Sequence, residues 1–235
     1  MNSNIYTIIP ARGGSKSIPR KNIKPFNGYP LIKYSIDYSL SSRLVSKTVV
    51  STDDKEIASI SRDLGADVPF IRPDYLAGDS VQDYPVISHA LEKLEEIYDE
   101  EIDIVILLRP TSPLRIPGLI ESGIKLLSKY PEATSIRAVS ESSEHPYRQW
   151  KSEGHFIHSI IDSIDESEPY NLPRQELPIS FFQTGDIEII RRDTILSGSV
   201  SGSKILPLII DAHKVFDIDS EDDFKKAEEA LEKNK

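Results

Sequence analysis

Cysteine is absent from the 235 residues. That excludes a disulfide framework, a thiolate metal site and a thiol nucleophile, and it fits a reducing cytoplasm. Tryptophan occurs once, so no row of large aromatics offers a stacking platform for single-stranded nucleic acid. Positive charge is in deficit: 28 Lys and Arg against 38 Asp and Glu leave a net charge of −10. An acidic surface repels phosphate chains, which argues against nucleic acid as a partner. No apolar run reaches membrane-spanning length, and no N-terminal stretch has the basic-then-apolar order of a secretory signal. The expectation is a soluble cytoplasmic protein without a membrane partner. His89, His145, His155, His158 and His213 show none of the spacings that ligate zinc, and no G-x-S-x-G elbow occurs.

What the chain does have is one basic, glycine-containing loop. Ile5 to Ile9 is an apolar run that reads as a buried strand, and Pro10 to Asn22 leaves its C-terminal edge. Gly13 and Gly14 lack Cβ atoms, so consecutive backbone N–H groups can turn toward one anion. Arg12, Lys16, Arg20 and Lys21 bring four cations to the same place. That is chemistry for a polyphosphate. The spacing is not that of a Walker loop, and no G-x-G-x-x-G follows the strand, so a P-loop and a dinucleotide fold are excluded. Taken alone, the loop also fits a glycine turn carrying solvated lysines.

Downstream, helix and strand patterns alternate. Leu31, Ile32, Ile36 and Leu40 predict a helix ending near Ser42, and Lys47 to Ser51 a short strand. Thr52 or Asp53 is placed to cap a helix that buries Ile57, Ile60 and Leu64 and stops at Gly65. Val68 to Ile71 is the next expected strand, Val86 to Tyr98 a long amphipathic helix, and Ile102 to Leu108 a central strand covered on both faces. Leu119 to Leu127 predicts a helix and Ala133 to Val139 a strand. This order implies an α/β fold, a doubly wound, mostly parallel sheet with ligands at the C-terminal strand ends. The basic loop and the segment Arg109 to Arg115 then face one cleft.

Between about Ser140 and Pro178 the regularity stops, and residues 140–178 read as an insertion into a single domain spanning 1–235, with a hairpin around Gly154. Tyr147, Trp150, Phe156 and Tyr170 within it fit either an interface or local packing. The sheet resumes at Ile187 to Ile190, Ile205 to Ile210 and Val215 to Ile218. Ser220 with Asp223 resembles a capping pair opening a last helix that buries Phe224, Ala227 and Leu231. Just before it, Asp217 and Asp219 stand at alternate positions of an expected strand end, so both carboxylates point into one space. Hard oxygen ligands of this kind suit Mg²⁺ together with phosphate oxygens. The same residues also fit a plainer role, Asp219 capping the last helix and Asp217 solvated.

Six segments together carry a resemblance: IPARGGSKSIPRKN (9–22), VVSTDD (49–54), IRPDYLAGDS (71–80), LLRPTSPLR (107–115), LPRQELP (172–178) and FDIDSEDD (216–223). In order and over nearly the whole chain, they resemble the N-acylneuraminate cytidylyltransferase (CMP-sialic acid synthetase) family. The first also resembles pseudaminic acid members, and PTSPLR resembles sialic and legionaminic acid members. The resemblance implies a Mg²⁺-dependent nucleotidyltransferase that joins CMP from CTP to a nine-carbon 2-keto sugar acid and releases pyrophosphate, working as a homodimer or a dimer of dimers. Ala11, Arg12, Gly13, Ser15, Lys16 and Lys21 match its phosphate-contacting loop and Asn22 a nucleoside contact. Arg72 and Ser80 match the cytosine pocket, and Asp217 and Asp219 the metal carboxylates. Arg12, Lys16, Lys21 and Asp217 are thereby the expected catalytic residues. Arg148 and Arg174 match basic residues that the dimerisation arm, 140–178, extends to the partner's sugar site.

Arg109, Thr111, Ser112, Gln183 and Thr184 fall on the expected acceptor wall, where two departures occur. Arg109 stands where sialic acid synthetases have Gln, and Phe182-Gln183-Thr184-Gly185 where they have Arg-Pro-Asn-Gly. The lost Arg is one of that family's carboxylate contacts. Arg109 either replaces the lost cation from the opposite side or holds a phosphate, and the second option keeps open a sugar-1-phosphate guanylyl- or cytidylyltransferase. A nucleotide-binding protein without catalysis is a third alternative, against which both charged constellations argue.

Overall fold

The computed structural model describes residues 3–161 and 167–233. In chain order, β1 (Ile5–Pro10) leads through the basic loop into a ribbon of two short strands, β2 (Pro25–Phe26) and β3 (Tyr29–Pro30). There follow α1 (Ile32–Leu40), β4 (Lys47–Ser51), α2 (Lys55–Asp63), α3 (Asp83–Tyr98), β5 (Ile104–Leu107), α4 (Leu119–Lys129) and β6 (Ser135–Glu141). The hairpin β7 (Trp150–Glu153) and β8 (Phe156–Ser159) stands apart. The chain then returns through β9 (Phe181–Arg191) to α5 (Arg192–Leu196), β10 (Ile205–Ile209) and α6 (Glu221–Lys233). Residues 162–166 of the expected arm lie outside the described residues.

Six strands form one sheet in the order β10-β6-β9-β5-β1-β4. β1 runs parallel to β4 and β5, and β6 parallel to β10; β9 is antiparallel to both its neighbours. The expected α/β, doubly wound, mostly parallel sheet is present. Its central strands are apolar on both faces because both are covered. Ile5, Ile9, Ile106 and Ile189 share one core with Ile32, Ile57 and Ile120 of α1, α2 and α4. Tyr6, Ile8, Val105 and Ile190 pack on the other face with Ile87, Leu91 and Leu94 of α3.

A third, smaller cluster positions the functional site. Ile18 of the basic loop and Ile218, between the two aspartates, are both fully buried with Phe26, Leu31 and Phe224. Burial of such a side chain contributes about 1.5–3 kcal/mol, so apolar packing holds the two charged segments side by side.

Local details depart from the sequence reading in four places. Val68 to Ile71 forms no strand; only Asp67 bridges Val49, and Pro69, lacking an N–H, cannot extend the ladder. Val215 to Ile218 joins no strand ladder; Ile218 N–H donates to Thr111 O at 2.8 Å. Ile218 is buried between Asp217 and Asp219, both of which are exposed. The residue that caps α2 is Asp54, whose side chain accepts from Ile57 N–H at 2.9 Å, and not Thr52 or Asp53. β9 begins at Phe181, six residues before the expected Ile187. The hairpin turns at Gly154 (φ +63°) as expected, and Ser220 and Asp223 cap α6 reciprocally.

Candidate active site

At the C-terminal ends of β1 and β5 a cleft of about 410 Å³ opens. Arg12, Lys16 and Lys21 come from the basic loop, Asp219 from the segment before α6, Arg72 from the segment after α2, and Arg109 and Thr111 from the end of β5. Lys21 ties the two charged segments together: its Nζ donates to Ile218 O at 2.8 Å and lies 3.4 Å from Asp219 Oδ1. Asn22, nearly buried, donates from Nδ2 to Arg12 O at 2.9 Å and fixes the loop's inner turn. Ser15 also lines the cleft.

Two of the expected cations already hold an internal anion. Arg12 Nη1 lies 2.7 Å from Asp79 Oδ1 and Lys16 Nζ 2.8 Å from Asp79 Oδ2. Hydrogen bonding from Lys16, reinforced by the charge of Arg12, keeps the Asp79 carboxyl below the usual carboxylate range. Its two oxygens occupy the kind of position that polyphosphate oxygens would take between these cations.

Arg20 is not part of this group. Its left-handed backbone (φ +57°) turns the side chain to Asp54 and Glu56 at the start of α2, leaving three loop cations at the cleft. Gly13 also serves another purpose. Its N–H donates to Asp53 Oδ1 at 3.0 Å, and a Cβ at this position would sit 2.8 Å from Asp54 Oδ2. The glycine permits close approach to α2 and does not offer its amide to the cleft. Ala11 is fully buried and bonds Ser51 O through its N–H at 2.9 Å, and exposed Ser80 lies outside the lining.

Arg72 forms part of the lining although only 3% exposed. Its Nη2 is 3.5 Å from Asp53 Oδ1, and neither Nε nor Nη2 has a hydrogen-bond partner among the described residues. Desolvation pulls its pKa down despite Asp53. An arginine so placed is a donor that awaits an acceptor.

Asp219 lines the cleft but Asp217, two residues earlier, does not. Crowding out of water raises its carboxyl pKa, the Thr111 hydroxyl opposes that shift, and the neighbouring Asp219 charge adds to it. Gly185 of β9 backs directly onto this spot: a Cβ there would lie 2.6 Å from Ser112 Oγ and 3.5 Å from Asp217 Oδ1. Ser112 and Thr184 are buried, and neither is in the cleft lining. Among the described residues no group of three or more His, Cys, Asp or Glu could hold a metal alone. The two carboxylates are hard oxygen donors that repel one another, and a cation completed by phosphate oxygens and water fits that pair.

Gln183 does not reach the cleft; its amide oxygen accepts from Arg137. Arg148 and Arg174 line a separate hollow of about 290 Å³ on the arm, with Glu141, Glu144 and His145. Arg148 Nη2 donates to Leu172 O at 2.8 Å. Within one chain these arginines are not brought to the cleft.

The Cytidylyltransferase family matches residues 6–154. Post-translational flagellin modification protein B of Campylobacter coli is 34% identical over 228 residues, covering 96% of this chain and 94% of that protein. The chain belongs to the cytidylyltransferase family. The CMP-N,N'-diacetyllegionaminic acid synthase of Campylobacter jejuni is 33% identical, with the same coverage of 96% and 94%. A solved CMP:2-keto-3-deoxy-manno-octonic acid synthetase complexed with CTP aligns at TM-score 0.73 and 17% identity, over 99% of this chain and 100% of that chain. At that identity the likeness speaks for the fold alone.

Several acidic partners of the cleft cations of this cytidylyltransferase escaped the sequence reading: Asp53 on Arg72, Asp79 between Arg12 and Lys16, and Asp83 and Glu188 on Arg109. Asp53 and Asp79 lie inside motif segments, which was the available signal. Glu188 had one too, a carboxylate among the apolar residues of a strand.

Proposed function

We propose that this cytidylyltransferase makes a CMP-activated nonulosonic acid, of the legionaminic type or a related bacterial analogue, from CTP and the free sugar acid. The anomeric hydroxyl oxygen bonds to the α-phosphorus of CTP, the bond from that phosphorus to the bridging oxygen breaks, pyrophosphate departs, and the hydroxyl proton is released to water. One observation carries this reading: Arg12, Lys16, Lys21 and Asp219 line a single cleft to which buried Arg72 also contributes.

The roles follow from position. Arg12, Lys16 and Lys21 neutralise the phosphate charge that grows as pyrophosphate leaves, with Ser15 beside them. Arg72 donates to the base, where cytosine offers a carbonyl oxygen and a ring nitrogen, and Asn22 holds the loop against the nucleoside. Asp217 and Asp219 are the residues that would hold Mg²⁺, which when bound supplies charge neutralisation at the phosphates. Thr111 orients Asp217, and Arg109 meets the acceptor.

The arm is read as a dimerisation arm that donates Arg148 and Arg174 to the partner's acceptor site. Its support is the exposure of Trp150, Phe156 and Ile157 on the arm's hairpin, large apolar side chains of the kind that interfaces cover. Mixing Arg174→Ala and Asp217→Ala chains restores pyrophosphate release if the site is shared; verified heterodimers without recovery would refute sharing. The absence of cysteine supports a cytoplasmic setting.

The decisive experiment is a pyrophosphate-release screen of the four nucleoside triphosphates against neuraminic, legionaminic and pseudaminic acids and hexosamine phosphates. Turnover of CTP with a nonulosonic acid is expected. Activity confined to a phosphorylated hexosamine would overturn the acceptor, and tight CTP binding without any turnover would overturn catalysis.

A further inference from the structure

The wall of the cleft beyond the loop cations holds a charge arrangement that the nucleotide contacts leave unused. Arg109 Nη2 lies 2.5 Å from Asp83 Oδ2 and 2.7 Å from Glu188 Oε1, and its Nη1 has no hydrogen-bond partner among the described residues. Glu188 is 1% exposed and sits in register between Leu107 of β5 and Arg137 of β6. Its other oxygen lies 3.2 Å from Arg137 Nη2, and Arg137 is itself held by Gln183 and Ser201.

Two guanidiniums therefore share one buried carboxylate, and the charge left over is balanced by Asp83. The two acids differ in their freedom. Glu188 is locked in the sheet, and turning it out would strand two arginines. Asp83 is the first residue of α3, with a side chain 44% exposed at the cleft lining, and an ion pair that open to water contributes little.

We infer that Arg109 receives the acceptor's carboxylate, that Glu188 is the positioning residue holding its guanidinium at the cleft, and that Asp83 occupies that carboxylate's place until the acceptor arrives. The inference rests on the sugar-acid reading above. With Asp83 turned out, Arg109, Glu188 and Arg137 carry one net positive charge. A carboxylate, a monoanion, neutralises it in a two-point contact with the guanidinium fork. A phosphate monoester carries about 1.5–2 negative charges and would leave part of them uncompensated beside buried Glu188.

Steady-state pyrophosphate release at saturating CTP separates the roles. Arg109→Gln is expected to raise the acceptor KM roughly tenfold or more, with little change in the CTP KM, and to abolish the wild-type preference for the free acid over its methyl ester. Glu188→Gln shifts the acceptor KM in the same direction. Asp83→Asn lowers it about threefold, since an exposed competing anion has gone. Asp83 lies at the surface, so this variant keeps the test intact even if the buried substitution impairs folding. A sugar acid turned over with equal acceptor KM by wild type, Arg109→Gln and Asp83→Asn would overturn the inference and leave the function standing. Acceptor and CTP KM moving together in every variant would also overturn it, by indicating a merely structural network. Turnover of hexosamine phosphates alone would overturn both readings.

Discussion

Replacing Arg72 by Met should move stability and nucleotide affinity in opposite directions. Arg72 is 3% exposed, its Nε and Nη2 have no hydrogen-bond partner among the described residues, and its ionic contact with Asp53 is 3.5 Å long. A buried donor left unpaired costs about 1–3 kcal/mol, and an apolar side chain of similar length removes that cost. Against this stands the loss of the Asp53 contact, softened because Asp53 keeps the Gly13 N–H at 3.0 Å. The balance favours the variant by about 1 kcal/mol, or roughly 2–4 °C in melting temperature for a chain of this size. In the presence of CTP the sign reverses. A charge-assisted hydrogen bond to the base contributes about 1.5–3 kcal/mol, so the CTP KM should rise on the order of 10- to 100-fold. Thermal melts with and without CTP, together with CTP saturation curves, provide the readout. An Arg72→Met protein that melts several degrees lower without nucleotide and keeps the wild-type CTP KM would refute the reasoning.

Three further outcomes are expected. Arg20 holds the Asp54 carboxyl down to about 2. The depressed value means that this contribution to stability is fully present above the unfolded-state pKa and is lost as pH falls from about 4 toward 2. The stability difference between wild type and Asp54→Asn, whose Asn still caps α2, should stay constant above about pH 5 and shrink below it; a gap that widens on acidification would contradict this. Gly123→Ala places a Cβ 2.3 Å from Ile189 Cδ1 in the core. Overpacking of about 1–3 kcal/mol outweighs a helix-propensity gain of about 1 kcal/mol, so the urea midpoint should fall while the CTP KM holds. Asp217→Asn should lower kcat by roughly 100-fold or more without lowering the melting temperature, because it relieves repulsion with Asp219, and EDTA should abolish wild-type turnover until Mg²⁺ is restored.

Legibility followed locality. β4 and α1 were readable because each carries its apolar pattern within a few residues, and three of the four loop cations met at the expected cleft. Arg20 did not, because adjacency in sequence is blind to a left-handed backbone that sends one side chain the other way. The first half of β9 was missed because Phe181, Phe182 and Gln183 are exposed and show no buried face; what makes them a strand is pairing with Glu141, Ser140 and Val139, forty residues earlier. Asp79, Asp83 and Glu188 are three of 38 acidic residues. Asp79 stands inside a motif segment and Glu188 among apolar strand residues, but nothing local sets Asp83 apart from a solvated carboxylate until the fold places Arg109 against it.

The arm leaves and re-enters the sheet at one point. Glu141 of β6 pairs with Phe181 of β9, and just beyond them Ser142 N–H donates to Ser180 O at 2.9 Å. Both stumps are thus clasped by a two-stranded stalk, so a change in the length of the stretch between them leaves the strand register below the stalk in place.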